Sequence, residues 1–572
     1  MYIDKVPNRN SRPTLLLRES YRQGRRVLKD TILNITHWPP HVVEALRRAL
    51  KGETLVCADD VFAIQRSLPH GHIEVIMGMI RKTGLDRLIA SKRCRERDLV
   101  LAMIVKQILE PGSKLAVTRA WHATSLAEEF GVADANEDDL YAALDWLLAR
   151  QKKIESKLAR RHLSPGDLAL YDVSSSYYEG RTCPLAFFGK DRDGKGGKPV
   201  IVYGVLADRE GHPVSVDVYP GNTGDPATVP DQVEKLRDRF GLTRIALVGD
   251  RGMLTQKRID TLKQHPGLGW ISALRSASIR RLMAQGAIQM SLFDQHNLAE
   301  IASPDFPGER LVVCYNPLLA DERKRKREDL LAATEEKLEK IVKEANRRTK
   351  TPLRKEEIGI KVGRIINRHK VAKHFKLTLE EGVFQWERNE ESVVSEASLD
   401  GIYVIRTSES KERFSAEDTV RNYKSLSLVE RLFRCLKTDL RVRPIFLRTE
   451  PHVRAHIFLC LLAYFLEWHL RQALAPLLFE DEELQEDRQT RDPVAPARPS
   501  PSAKQKKATR QTPEGFPIHS FSTLLDEMAT RCRNWCRLEN VPDAPLFPRL
   551  TDPTPYQEKV YSLLKQYPVP GN

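Results

Sequence analysis

The chain has 572 residues, of which 41% are hydrophobic and 30% are charged. This length exceeds what one hydrophobic core supports, and the composition excludes a disordered chain, so we expect several folded domains. The formal net charge of +15 favours a polyanionic partner such as nucleic acid. Ribosomal and membrane-surface proteins are also basic, so charge alone does not choose between these classes.

Cysteine spacing and hydropathy bear on the compartment. The eight cysteines are scattered, and no basic-then-apolar signal segment follows Met1. The most apolar run, residues 457–466, has ten residues, whereas a membrane helix needs about 20. We therefore expect a reducing, cytoplasmic protein without a membrane partner, and this run as a core helix.

The first 165 residues are expected to form a mostly helical N-terminal region. Apolar residues recur at helical spacing in residues 96–109 and 138–148. Basic clusters at residues 22–29 and 92–97 fit a DNA-contacting region, so DNA binding is predicted for residues 1–165. The alternative is the solvated face of a helical domain.

A group of strands follows this region. Segments rich in β-branched and aromatic residues predict strands at residues 168–178, 199–207 and 214–219. A helix over residues 229–239 then leads to the apolar run 244–249, which suits a central strand buried on both faces. Residues 270–274 predict the next strand.

Three strands in a meander, a helix and a buried strand are the order of a ribonuclease H-like core. We therefore predict an α/β fold whose catalytic core comprises residues 166–275 and 400–475. Residues 276–399 are predicted to be an insertion domain that contains strands and a highly charged helix at 321–350. That helix suits a solvated or coiled-coil arm, with a DNA-tracking surface as the alternative.

The C-terminal part of the chain differs from the rest in composition. Prolines and charges are dense in residues 492–507, which predicts a flexible linker over residues 476–514. Helical patterns resume after it, and residues 515–572 are predicted to be a small helical module. Such a module is a candidate for subunit contacts.

Three acidic residues carry the functional prediction. Asp172 and Asp250 follow apolar runs that predict buried strands, and Glu430 lies in a basic amphipathic helix, so all three can meet at one sheet edge. Mg²⁺ prefers oxygen ligands and is usually held by carboxylates together with substrate phosphates. Two ions about 4 Å apart activate a nucleophile and stabilise the leaving oxygen of a phosphodiester. The pattern predicts a two-metal nuclease site.

The helix around Glu430 also carries cations. At about 100° per residue, Glu430, Arg434 and Lys437 share one face, so a carboxylate and two cations would project together. The alternative is an ordinary intrahelical Glu–Arg pair, worth about 0.3–0.5 kcal/mol.

The same helix carries a family resemblance. Tyr423, Glu430 and Lys437 match the Y-x2-R-x3-E-x6-K signature of the DDE transposases of bacterial insertion sequences. Asp250, Arg251 and the following glycine resemble the second-aspartate motif of that family. With the similar segments 199–214 and 219–225, the resemblance covers about residues 165–475.

This resemblance implies a reaction and its partners. Asp172, Asp250 and Glu430 would hold two Mg²⁺, for which Mn²⁺ can substitute. Water would cut one strand at each element end, and the freed 3′-hydroxyl would attack target DNA. The implied partners are double-stranded DNA, as element ends and target, and a second copy of the chain in a synaptic complex. The implied location is the bacterial nucleoid.

The resemblance also implies DNA contacts. Tyr423 and Lys437 would contact phosphate near the terminal nucleotide, with Arg434 and Arg251 as further candidates. Trp386, in the insertion, is a candidate to hold a flipped base, and core packing is the alternative.

One residue departs from the signature, because Leu426 stands where the family has arginine. Arg421 and Arg434 are the candidates to take over the phosphate contact of that arginine. Two other functions stay open. One is a related DNA endonuclease without strand transfer, and the other is an inactive transposase-derived DNA-binding protein. The presence of all three acids argues against the latter.

Residues 189–196 nearly spell a phosphate-binding P-loop. Gly196 replaces the required Ser or Thr, and no strand-loop-helix context surrounds the segment. We therefore interpret it as a loop between strands.

Overall fold

A computed structural model of the chain describes residues 1–9, 12–53, 62–294, 296–539 and 543–569. The chain forms two compact units. The first unit contains Met1–Pro69 and Arg531–Asp552, and the second contains His70–Thr530 and Pro553–Asn572. Cys57 lies outside the described residues.

The first unit begins with an antiparallel sheet of β1 (Tyr2–Val6), β2 (Thr14–Gln23) and β3 (Arg26–Asn34), in that spatial order. Helix α1 (Pro40–Leu50) and strand β4 (Phe62–Pro69) follow. The expectation of a mostly helical region is therefore wrong for these residues. Gly24, at φ +64°, closes β2 and β3 into a hairpin, and its turn interrupts any helical pattern.

Helices occupy the next part of the chain, residues 71–162. They are α2 (Gly71–Thr83), α3 (Leu85–Ile89), α4 (Arg95–Leu109), α5 (Lys114–Ala120), α6 (Leu126–Phe130), α7 (Glu137–Leu148) and α8 (Gln151–His162). Asn136 caps α7 by accepting the N–H groups of Asp138 and Asp139. Helices α4 and α7 coincide with the two segments predicted from apolar spacing.

Residues 168–407 contain both strands and helices. They are β5 (Leu168–Tyr177), β6 (Val200–Ala207), β7 (Pro213–Tyr219), α9 (Val229–Glu234), β8 (Ile245–Gly249), α10 (Gln256–Lys263), β9 (Leu268–Ala273), α11 (Ser276–Ala284), β10 (Leu298–Ile301), β11 (Arg310–Tyr315), α12 (Pro317–Arg347), α13 (Lys355–His369), β12 (Phe375–Glu380), β13 (Val383–Arg388), α14 (Glu390–Ala397) and β14 (Ile402–Thr407).

The central sheet has eight strands in the order β10-β11-β14-β9-β8-β5-β6-β7. β5, β6 and β7 form an antiparallel meander, whereas β8 runs parallel to β5 and β9 parallel to β8. The fold is therefore mixed α/β, and its first five strands follow the predicted meander-helix-strand order. β6 and β8 are buried along their whole length because both faces of the sheet are covered.

The segment predicted as an insertion divides into two parts. β10 and β11 belong to the central sheet, so the predicted boundary at residue 276 is wrong for residues 298–315. The run Leu311–Cys314 is apolar on both faces and therefore needs a buried place in a sheet. In contrast, α12, α13, β12 and β13 share a separate core, in which Leu331 and Leu338 of the charged helix are buried.

The C-terminal elements are α15 (Ala416–Lys424), α16 (Leu426–Thr438), α17 (Glu450–Leu474), α18 (Leu484–Thr490), α19 (Pro501–Thr509), α20 (Phe521–Ala529), β15 (Cys532–Leu538), β16 (Phe547–Leu550) and α21 (Pro555–Gln566). Among the described residues, Glu450–Leu477 is the one helical segment long and apolar enough to cross a membrane. Its apolar window is 83% buried inside the protein, and α17 contacts α4, α7 and β7. The segment is a core helix, as predicted.

The region predicted as a flexible linker packs on the protein. Lys424 donates to the carbonyl of Pro493 at 2.5 Å, and Lys506 donates to the carbonyl of Ala475 at 2.8 Å. Residues 515–572 are not a separate helical module either. α20 packs on α2, and α21 packs on α2 and α17, whereas β15 and β16 join β4 in a sheet of the first unit. Buried side chains such as Val494 hold the proline-rich segment in place, a contact that local composition does not reveal.

Candidate active site

Asp172 lies in the middle of β5. Because side chains alternate along a strand, Asp172 shares a face with Leu170, which packs in the same core cluster as Val429 and Leu432 of α16. The Asp172 carboxylate accepts the N–H of Val173 at 2.8 Å. This carboxylate is therefore partly buried on the sheet face that α16 covers.

Asp250 follows directly on β8. Tyr171 of β5 and Gly249 of β8 are register partners in the parallel pair, so Asp172 and Asp250 are the next residues along two adjacent strands. Asp250 is exposed, and its Oδ1 accepts the N–H of Gly252 at 2.6 Å. The end of β8 thus presents a carboxylate on the strand next to Asp172.

Glu430 comes from α16, which contacts β5. The helix buries Val429, Leu432 and Leu436 in the core and leaves Glu430 exposed. Amphipathicity therefore fixes the rotation of this helix, and its carboxylate faces away from the core.

Electrostatics place the three acids in one cluster. Burial, together with smaller contributions from the negative charges of Asp250 and Glu430, raises the pKa of Asp172 to about 7. The cation of Arg192 lowers this pKa. Carboxylates that disfavour one another's ionisation in this way form a donor set that suits divalent cations.

Spacing within the cluster can be compared with the chemistry. Two other groups of potential ligands in the described part of the chain have all their ligand atoms within 4.8 Å of one another, and the three acids are not such a group. A site for two ions about 4 Å apart does not need this closeness, because ligands at its two ends bind different ions. The all-oxygen donor set fits Mg²⁺.

Tyr423 lies beside the same acids. Burial raises the pKa of its hydroxyl to about 12, with further contributions from Asp250, Glu430 and Asp172, and Arg251 lowers it. Tyr423 belongs to α15, which meets α16 at Ser425, so the signature runs over two helices. The structure brings Tyr423 and Arg251 to the acids.

Lys437 has a protein partner. Its Nζ donates to Asp193 Oδ1 at 2.9 Å, and the Lys437 side chain is only 10% exposed. Asp193 is 1% exposed, also pairs with Arg443, and accepts the N–H of Tyr177 at 3.1 Å. Lys437 thus ties α16 to the loop after β5.

Arg434 points elsewhere. It is exposed and lines a cleft of about 210 Å³ with Arg431, Tyr464 and Glu480. Arg434 therefore has different surroundings from Lys437, although helix spacing puts both on the same face of α16 as Glu430. The 60° of helix rotation between Arg434 and Lys437 is enough to give them different partners.

Two further predicted positions have packing contacts. Trp386 on β13 packs edge-to-face on Phe375, with ring centroids 5.7 Å apart, against the core shared by α12 and α13. Leu426 is 9% exposed and belongs to the core under α16. The departure from the signature is thus a buried packing residue.

Sequence reasoning missed Arg192 and Asp193. Both lie in the loop between β5 and β6, within the near-P-loop segment 189–196. Arg192 acts on Asp172 and on Lys437 through its charge, and it pairs with Asp225. The available signal was the density of charge in a loop that follows the strand carrying Asp172.

Comparisons with known proteins were made on sequence and on structure. Residues 187–466 match the family model described as the transposase DDE domain, a span that includes Asp250, Tyr423 and Glu430 and begins after Asp172. No significant match to a curated protein was found. Among solved structures, the chain resembles a piggyBac transposase synaptic complex with hairpin DNA, with 10% identity, a TM-score of 0.32, and 69% of this chain and 72% of that chain covered.

The TM-score of the structural likeness is too low to support a functional argument. The family match is independent of it and spans the strand β8, the helices α15 and α16, and most of α17. The match to the transposase DDE domain supports a DDE-type transposase.

Proposed function

We propose that the chain is a transposase that cuts DNA at element ends and joins the 3′-ends to target DNA. The observation that carries the proposal is the convergence of Asp172, Asp250 and Glu430 from two adjacent parallel strands and the helix that covers them. Few chemistries other than phosphoryl transfer need three carboxylates and nearby cations in one place.

The acids would hold two Mg²⁺, for which Mn²⁺ can substitute. The bound ions would supply activation of the attacking oxygen and stabilisation of the leaving oxygen. Tyr423 and Arg251, beside the acids, would orient the DNA strand, and Arg192 would add positive charge at the same place. Lys437, through Asp193, would hold α16 so that Glu430 keeps its position.

The remaining parts of the chain receive proposed roles from their architecture. β5 to β9 with α16 would be the ribonuclease H-like core, and residues 317–397 the insertion domain. Cutting two ends together would require a homodimer in a synaptic complex, and the enzyme would act at the nucleoid.

The β2–β3 hairpin is the proposed DNA-binding element of the N-terminal region. Register partners lie on the same face, so Arg18, Arg22 and Lys29 share one face, while Glu19 and Asp30 lie on the other. The major groove of B-DNA admits a two-stranded β-ribbon. Arg26, the register partner of Gln23, lies on the face of the acids, so the first face carries three of the four cations of β2 and β3 and neither of these acids, which fits this groove.

The distal half of β2, residues 19–23, is exposed, and so is all of β3 except Leu28. Asp4 of β1 pairs with Arg18 at 2.7 Å and approaches Lys29 at 3.8 Å. Arg22 and Arg25 are exposed and make no ion pair with another described residue. The tip of the ribbon therefore offers cations to phosphate or to base edges.

The reaction is tested with the DNA that flanks the gene, Mg²⁺ and a plasmid target. We expect products in which flanking ends are joined to the plasmid, and none with Asp172→Asn, while that variant still binds the DNA. Cuts without joining would instead establish the endonuclease alternative. Cleavage by Asp172→Asn would overturn the site assignment.

A further inference from the structure

We propose that His162, Asp208, Glu210 and His212 form a second metal site, for a divalent transition metal of the zinc type. The site lies at the β6–β7 turn and is built from residues other than the three acids. His162 is the last residue of α8, and the other three residues belong to the turn itself.

His162, Asp208 and His212 offer ligand atoms that all lie within 4.8 Å of one another, a group to which Glu210 does not belong. Asp208 Oδ2 lies 2.7 Å from His212 Nδ1 and 3.4 Å from His162 Nδ1. Glu210 Oε2 lies 3.9 Å from His212 Nδ1. Ligands about 2.0 to 2.1 Å from a tetrahedral zinc ion are separated by roughly 3.3 Å, which lies within this range of distances.

The turn orients one carboxylate oxygen for the site. Asp208 Oδ1 accepts the N–H groups of Glu210 and His212, each at 2.9 Å. These bonds leave Oδ2 directed at the two imidazoles. The turn is therefore a preformed holder for one ligand, and a short loop supplies three of the four.

Packing fixes the two imidazoles. The side chains of His162 and His212 are 3% and 1% exposed, and their rings stack with centroids 4.4 Å apart. Trp468 and His469 of α17 cover His212 at centroid distances of 3.9 and 5.4 Å. Glu210 is 44% exposed and provides the route by which an ion can enter from solvent.

Ligand chemistry separates this site from the acid cluster. Imidazole nitrogen favours zinc and its neighbours in the transition series, whereas sites made only of carboxylates favour Mg²⁺. His162, Asp208 and His212 would supply three ligands, and a rotation of the partly exposed Glu210 side chain toward them would close the coordination shell, as in structural zinc sites. A bound ion would join the end of α8 to the β6–β7 turn, and thereby stabilise the entry into β5.

Zinc binding is tested in the full chain carrying Asp172→Asn, Asp250→Asn and Glu430→Gln, so that the acid cluster contributes no metal. We expect one Zn²⁺ per chain to remain after gel filtration in excess Mg²⁺. We also expect Co²⁺ in its place to give the intense visible absorption of a tetrahedral site. The result does not depend on whether the chain transposes DNA.

Adding His162→Asn and His212→Asn to this background should remove the bound ion, whereas the matched control, His369→Asn with His452→Asn, should retain it. If the double variant fails to fold, Glu210→Gln decides, and it should weaken zinc binding about tenfold or more. Zinc retained equally by all variants, or absent from the starting protein, would overturn the proposal.

Discussion

The central sheet combines parallel and antiparallel strands, whereas the β2–β3 ribbon is purely antiparallel, and the two expose their side chains in opposite ways. Every residue of β6 and β8 is buried, whereas Asp172 is partly buried and Asp250 and Glu430 are exposed. In β3, by contrast, all residues except Leu28 are exposed. Burial positions two carboxylates on the sheet and one on the helix that covers it, whereas the ribbon presents its charges outward.

The largest effect should follow a change in the acid cluster. Glu430→Gln should reduce DNA cleavage by on the order of 10³-fold or more, because one of the three carboxylates proposed to hold the two ions is lost. Glu417→Gln is the matched control, since Glu417 is an exposed acid of the adjacent helix α15. Cleavage is measured on the flanking DNA. Equal activity of the two variants would remove Glu430 from the site.

The second test compares burial directly. Leu247 on β8 is 2% exposed, and Leu33 on β3 is 45% exposed. Leu247→Ala should lower the free energy of unfolding by about 2–5 kcal/mol. Leu33→Ala should change it by no more than about 0.5 kcal/mol.

Urea unfolding followed by tryptophan fluorescence measures both changes. Because the chain has two compact units, urea can unfold it in more than one transition. Each transition should therefore be assigned to its unit with a spectroscopic probe placed in that unit. A comparable loss in both variants would mean that the ribbon face is covered in solution.

A third test addresses the outward charges of the ribbon. Arg22→Ala, Arg25→Ala and Lys29→Ala together should reduce the slope of log K against log salt by up to about 2.7, since each phosphate contact contributes about 0.9. The control removes the same charge from α1 and the residue after it: Arg47→Ala, Arg48→Ala and Lys51→Ala. Duplex binding is measured by fluorescence anisotropy.

The two triple variants distinguish a ribbon contact from general attraction by a basic protein. If both triple variants reduce the slope of log K against log salt equally, charge alone explains the binding, and the ribbon has no special role. Replacing guanine by 7-deazaguanine removes an acceptor in the major groove. This replacement should weaken DNA binding by the parent protein more than DNA binding by the ribbon variant.

The smallest expected effect concerns pH. The pKa of Asp172 rises from 3.8 in the unfolded chain to about 7 in the fold. The folded state therefore holds more protons between these values, so this residue lowers stability as pH rises from about 4 to 7. Without divalent cations, Asp172→Asn should lose less stability over that interval than the parent protein.

Urea unfolding at several pH values in the presence of a chelator measures this difference, with Asp321→Asn on the exposed face of α12 as the control. Identical pH profiles for the parent and Asp172→Asn would mean that Asp172 is not desolvated by its neighbours.

Much of the central sheet could be predicted from local sequence pattern. The runs that became β5, β6 and β8 are apolar enough to require burial, and Asp172 and Asp250 stand at positions fixed by those runs. Glu430 followed from the amphipathic pattern of α16 and from the family signature. Three predictions failed: a helical structure for the residues that form β1 to β4, a flexible linker, and a separate helical module at the C-terminus. They failed because contacts between distant parts of the chain decide these structures.

The sequence by itself determined the meander-helix-strand order and the basic character that favours a polyanionic partner, and it singled out Asp172, Asp250 and Glu430 as candidate ligands. Only the tertiary structure showed that Asp193 engages Lys437, that Arg192 reaches Asp172, and that β10 and β11 extend the central sheet. It alone brought His162 to the β6–β7 turn. The physical reason is that periodicity records which face of an element is buried, whereas the partner on that face is set by packing between elements far apart in sequence.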